Sequence, residues 1–238
     1  MPTAFWKRLM TAHRARSVGL VGLLALSLSI QARAMGPDVK GAADHPIVSR
    51  YAGSQMVGYQ QLEFDAGQFF VPNSASGFDP AQEIDTDKPV VVEGKVTRLI
   101  YVAPTGKTAT EVHRNFEQAL RASGMNMVTS VDGRNAWWTI TQHWRANFSN
   151  ARFQPPFARD ISPFDRRGFY SYGNLSRGGV VVSVSVLTGP VSLLARDHYK
   201  TDENTAQAAV AIQIIEPVAA VTGQVTVPAD VTSEGQEA

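Results

Sequence analysis

The stretch EGKVTRLIYVAPTGKTATEVHRNFEQALRASGM, Glu93 to Met125, decides the fold class because its hydrophobic period changes partway along. From Glu93 to Ala103 the pattern is that of a strand. Val96, Ile100 and Val102 share one face, interrupted by Arg98, and Leu99 and Tyr101 share the other. Apolar side chains on both faces predict a sheet that is partly covered on each side. Pro104 has no N–H to give a ladder and stops the strand. A helix then runs over about 108–123. Thr108 and Glu111 have the spacing of a capping box, in which hydroxyl and carboxylate each satisfy a backbone N–H at the helix start. Val112, Phe116, Ala119 and Leu120 fall on one side of it, leaving His113, Arg114, Glu117, Gln118 and Arg121 mostly toward water. Gly124 closes it, since glycine accepts the left-handed conformation after a last turn.

Downstream, Gly179 to Leu187 places Val180, Val182, Val184 and Val186 on one face, and Ala206 to Ile215 does the same with Ala208, Val210, Ile212 and Ile214. These read as consecutive antiparallel strands joined through a loop at Asp197 to Asn204. Upstream, residues 35–50 are polar and turn-rich, a first strand is expected around Met56 to Phe64, and Asn73 to Pro89 reads as a loop. The expected fold is α+β: a mostly antiparallel sheet packed against one main amphipathic helix. It is predicted as a single domain over 35–217, followed by a flexible tail over 218–238 that carries no core pattern.

Residues 1–34 have the composition of an export signal. They hold five basic side chains and no acidic one, and the apolar run from Val18 to Ile30 follows Lys7, Arg8, Arg14 and Arg16. Ala32 and Ala34 then offer the small side chains a signal peptidase requires, which predicts cleavage after Ala34. Thirteen residues of helix span roughly 20 Å, short of the roughly 30 Å hydrocarbon core. No other apolar stretch approaches spanning length, so no transmembrane helix is expected in the mature chain. Loss of the signal leaves 17 basic against 21 acidic residues, a net charge of −4, which disfavours nonspecific nucleic-acid binding. With no cysteine, the chain has neither disulfides nor a lipid-modified cysteine.

Three strings, DHPIVSRYAGSQMVGYQQLEFD (44–65), GKVTRLIYVAPTGKTATEVHRNFEQALRASGM (94–125) and AVAIQIIEPVAAVTGQVTV (209–227), resemble the N-terminal region of a group of gram-negative envelope proteins. In that group an uncharacterised α+β domain precedes a peptidoglycan-binding domain of the OmpA type. The resemblance implies a protein of the periplasm or associated with the outer membrane, and it brings no catalytic residue. The 238 residues leave no room for the OmpA-type domain, so that route to the cell wall is not expected here. Some members carry a cysteine pair after the helix, where this chain has Trp137, Trp138 and Trp144.

No motif predicts a catalytic residue, a cofactor or a metal. Gly106-Lys107-Thr108 lies where a phosphate-binding loop would, but Tyr101 occupies the position of the required first glycine, so the triplet reads as a turn and a helix cap. His13, His45, His113, His143 and His198 show no pair at metal-ligand spacing. Asp44-His45-Pro46 reads as a turn, and no Gly-x-Ser-x-Gly elbow occurs. On a strand beginning at Trp137, that tryptophan faces one way and Trp138 and Trp144 the other, which puts at least one in the core.

The candidate binding surface is the long Arg/Phe/Pro loop at 145–168. Arg145, Arg152, Arg159, Arg166 and Arg167 are interleaved there with Phe148, Phe153, Phe157 and Phe164, for a local charge of +3. Guanidinium and aromatic groups together hold anions, sugars or protein surfaces by bidentate hydrogen bonds and stacking. The expected role is a noncatalytic envelope module in outer-membrane or cell-wall organisation, with envelope proteins or peptidoglycan glycans as partners and peripheral membrane association open to it. The alternative is a periplasmic binder of small anionic or glycan ligands.

Overall fold

The computed structural model describes residues 36–72, 89–149, 167–191 and 206–218. Among them lie six strands and two helices: β1 (Gln55–Phe70), β2 (Pro89–Val102), α1 (Ala109–Ala122), β3 (Asn126–Asp132), α2 (Gly133–Asn147), β4 (Phe169–Arg177), β5 (Val180–Pro190) and β6 (Ala208–Glu216). The strands form one sheet in the order β1-β2-β6-β5-β4-β3, antiparallel throughout. The α+β class and the antiparallel sheet are as expected. The single main helix is not, because α2 is as long as α1 and covers the other face.

The alternation in β2 shows why both faces need a cover. Leu99 and Tyr101 pack with Val112, Phe116 and Leu120 of α1 and with Val184, Val210, Ile212 and Ile214 of the sheet. Val96, Ile100 and Val102 pack instead with Ile140, Trp144 and Phe148 of α2 and its C-cap. Complete burial of each such aliphatic side chain contributes about 1.5–3 kcal/mol, so neither helix is dispensable. α1 starts at Thr108, whose hydroxyl accepts from the Glu111 N–H at 3.1 Å. It ends in a Schellman arrangement, with Gly124 at φ +91° and the Met125 N–H reaching the Leu120 carbonyl at 3.0 Å. Two positions depart from the helical reading: His113 is buried, and Ala119 is exposed. In β5, likewise, Val182, Val184 and Val186 are buried but Val180 is exposed.

Residues 133–147 form a helix rather than the strand expected from Trp137. Asp132 caps it by accepting from the Arg134 N–H at 3.0 Å, and the backbone kinks at Ala136. Ile140 and Trp144 enter the core one turn apart, and Phe148 follows as the C-cap, stacked on Trp144 at 5.5 Å. Trp144 is thus the core tryptophan, while Trp137 and Trp138 are half-buried and meet edge to face.

β1 also exceeds its expected length, running to Phe70. Its pairing with β2 shifts register between Leu62 and Asp65, and beyond that bulge the hairpin leaves the sheet plane and crosses the α2 face. Gly67 lies over Gln213 and Ile215 of β6. Phe69 stacks on Tyr172 of β4 at 4.4 Å. A Cβ at Gly67 would run into the ends of the Ile215 and Gln213 side chains, which would have to shift to admit it. The loop expected at 73–89 falls outside the described residues up to 88, as do the Asp197 to Asn204 loop, the signal and the tail beyond Val218.

Candidate functional site

Chemistry-bearing side chains gather in two places, one under each helix. Beneath α2 a polar row crosses four neighbouring strands in register: Gln60 opposite Arg98, Arg98 opposite Gln213, Gln213 opposite Ser185. Arg98 is buried, and its Nε donates to Gln213 at 2.9 Å, one terminal nitrogen to Gln60 at 2.8 Å, the other to the Ala66 carbonyl at 3.4 Å. Asp65 approaches the guanidinium to 3.6 Å. Burial lowers the Arg98 pKa and Asp65 opposes that shift, yet a guanidinium remains a cation at neutral pH. The charge is therefore held by the bulged part of β1, which it ties down over the sheet.

His143 of α2 hangs over the same row, with Nε2 3.0 Å from the Ser185 hydroxyl and Nδ1 3.2 Å from the Asn147 amide. Its complete burial, with the charge of Arg98 adding to it, pushes its pKa down to about 3. The imidazole is neutral at physiological pH. Asn147 binds the backbone of Gln68, and the phenol of Tyr170 accepts from the Phe70 N–H at 3.2 Å.

Beneath α1 lies a chain of four groups that has the residue types of a hydrolytic site but not its order. The Ser171 hydroxyl donates to Glu117 at 2.7 Å. Its oxygen can then only accept from Nε2 of His113, 2.8 Å away, which leaves Nδ1 to accept from Thr188 at 3.0 Å. A general base would have to take the serine proton, and here that proton is already committed to the carboxylate. Burial pushes the His113 pKa down to about 4 against the pull of Glu117. For Glu117, burial acts to raise the pKa, but hydrogen bonds from Ser130 and Ser171 and the nearby His113 and Arg121 outweigh it and hold the group below its ordinary value. Ser171 is wholly buried and Phe169 stacks on the imidazole at 5.4 Å.

The N-terminal arm is fastened by a third network. Arg50 bridges Asp38 and Asp44, the Tyr101 hydroxyl donates to Asp44 at 2.9 Å, and His45 sits 3.2 Å from Glu216. The guanidinium holds Asp38 below the usual carboxylate range. Asp44-His45-Pro46 is indeed a turn, closed by Val48 N–H on the His45 carbonyl. Gly106-Lys107-Thr108 is a turn and cap, with Lys107 ion-paired to Glu111 at 2.7 Å.

Of the candidate binding surface, Arg145 is exposed in the last turn of α2 and Arg167 is exposed just before β4. Arg152, Phe153, Phe157, Arg159 and Arg166 lie outside the described residues. The two ends of that segment are firmly seated: Phe148 is wholly buried, and the Gly168 carbonyl accepts from the Gly133 N–H at 2.7 Å. Among the described residues no group of three or more His, Asp or Glu is placed to hold a metal ion, and no helix is long and apolar enough to cross a membrane.

Sequence reading singled out Arg98 as an interruption of an apolar face but missed its partners. Gln213 interrupts β6 in the same way, and a shared parity of two polar intruders was the signal available. His113 and Ser171 meet across 58 residues, and no local pattern announces that contact. Neither a protein-family model nor a curated protein matches the chain.

Proposed function

We propose that the chain is a noncatalytic exported module of the gram-negative envelope, which takes part in outer-membrane or cell-wall organisation through contacts made by its Arg/Phe/Pro segment. The observation that carries this reading is how the reactive side chains are used. His113, Ser171 and Glu117 close on one another beneath α1, and Arg98, His143 and Asn147 fasten the β1–β2 hairpin beneath α2. Both sets serve the fold. The segment richest in guanidinium and aromatic groups, by contrast, lies in sequence between two anchored residues, Phe148 and Gly168, with Arg145 and Arg167 exposed near its ends. A rigid body holding a basic aromatic segment suits contact with a protein or glycan surface. Further support comes from the export-type residues 1–34 and from the resemblance to the N-terminal domain of OmpA-type envelope proteins.

The test is fractionation of cells producing the whole chain, with N-terminal sequencing. The expected product begins at Met35 and is found in the periplasm or with the outer membrane. A cytosolic product that begins at Met1 would overturn the proposal. In solubilised envelopes, chemical crosslinking of the mature chain should yield an adduct that weakens when Arg145, Arg152, Arg159, Arg166 and Arg167 are replaced by alanine. An adduct unchanged by those replacements would remove the segment from the proposal.

A further inference from the structure

The crossing hairpin has two edges, and they are treated differently. On the β1 side, backbone groups pointing away from β2 are taken up by side chains: the Ala66 carbonyl by Arg98, both groups of Gln68 by Asn147, and the Phe70 N–H by Tyr170. Residues directly opposite one another in an antiparallel pair point their N–H and C=O the same way, either both inward or both outward. Glu93, Val91 and Pro89 face Ala66, Gln68 and Phe70 in register, so their groups point outward from the other edge. There the neighbour, β6, ends at Glu216 opposite Lys95. Among the described residues no strand pairs with that second edge of β2, the one away from β1, from Gly94 back to Pro89, and Val90 and Val91 are 42% and 56% exposed. Apart from Glu93 this edge is apolar and rich in valine, and an unpaired edge of this kind can take up another strand.

We propose that the edge from Pro89 to Gly94 is a strand-docking site and that its occupant is the chain's own segment from Ala219 to Val227, laid antiparallel to β2. The chain leaves β6 at this spot. A Cβ on Gly94 would stand 3.0 Å from the Pro217 Cα, and β6 already runs antiparallel to β2. Val218 is exposed at the same end of the sheet, as are Val180 and Val181 at the start of β5. Although it lacks the pattern of a core strand, the segment alternates as an edge strand does, with Val221, Val225 and Val227 set against Thr222, Gln224 and Thr226. Six residues of edge need roughly 20 Å of partner, which nine extended residues exceed. The docked segment closes an edge that would otherwise be open to another chain.

Amide hydrogen exchange tests this on the mature chain from Met35, on a form ending at Val218, and on a full-length Thr222→Pro, Gln224→Pro double variant. In the mature chain the Val91 and Glu93 amides are expected to exchange at least about tenfold more slowly than in the other two. Leu99, paired within the sheet, stays slow in all three and reports that the fold is kept. Equal exchange at Val91 and Glu93 in all three proteins overturns the proposal. Slow exchange that is lost on dilution also overturns it, because the occupant is then a second copy.

Discussion

Asn147 presents its side-chain amide to Gln68 as a neighbouring strand would, donating to the carbonyl at 2.8 Å and accepting from the N–H at 3.0 Å. One side chain at the end of α2 thus satisfies the backbone of a strand 79 residues away in sequence and fixes where the hairpin crosses the sheet. Asn147→Ala leaves a part-buried donor and acceptor on Gln68 without their side-chain partner. It is expected to cost about 2–4 kcal/mol in urea unfolding, with faster exchange at the Gln68 amide. Stability within about 0.5 kcal/mol of the parent would mean that Arg98, Phe69 and Phe70 hold the hairpin without help from Asn147.

Arg98 carries the same hairpin by charge. Arg98→Ala strands the carbonyl oxygens of Gln60 and Gln213 and leaves Asp65 without its cation, and the expected loss is about 3–5 kcal/mol. An apolar row of similar volume costs less to bury. The Arg98→Met, Gln213→Leu double variant is therefore expected to be more stable than Arg98→Ala. Equal loss in the two, measured by the same unfolding assay, would show that the guanidinium bonds to the β1 backbone cannot be replaced by packing.

Acid should weaken the fold before the carboxylates titrate. His113 and His143 have folded pKa values of about 4 and about 3, well below the ordinary 6.5. Below pH 6.5 the unfolded chain takes up two protons that the folded chain refuses, so stability is full above that pH and falls as the pH drops toward 4. With both groups titrating, the slope approaches about 2.7 kcal/mol per pH unit. Glu117, held below its ordinary pKa, adds a loss of the same sign at lower pH. Unfolding free energies at pH 7, 6 and 5 check this, and His143→Gln should roughly halve the slope. A flat profile between pH 7 and 5 would contradict the burial of both imidazoles.

The sequence shows β2 and α1 clearly because their determinants are local: an alternation, a proline, a capping threonine and a closing glycine all lie within Glu93 to Gly124. The tryptophan region is ambiguous by the same local rules. Trp138, Ile140 and Trp144 share parity as on a strand, while Ile140, Trp144 and Phe148 are each one helical turn apart. The capping carboxylate of Asp132 and the open apolar face of the sheet decide for the helix. The crossing of the hairpin depends on a bulge after Leu62 that no residue type announces. Arg98 was visible as an intruder, but the register that sets Gln213 and Ser185 in line with it is a tertiary fact.

Gly67 and Gly94 both sit where a side chain would collide, but against different obstacles. A Cβ at Gly67 meets the side-chain ends of Ile215 and Gln213. At Gly94 it would meet the Glu216 carbonyl oxygen, with the Glu216 carbonyl carbon at 2.9 Å and the Pro217 Cα at 3.0 Å. Backbone cannot swing aside as a side chain does, so Gly94→Ala must separate β2 from the end of β6. Gly67→Ala is expected to cost about 1–3 kcal/mol, and Gly94→Ala more, about 3 kcal/mol or above. Unfolding measurements on the two single variants decide the order. A larger loss at Gly67 would place the tighter constraint between hairpin and polar row, and the exit of β6 past Gly94 would then be the looser of the two contacts.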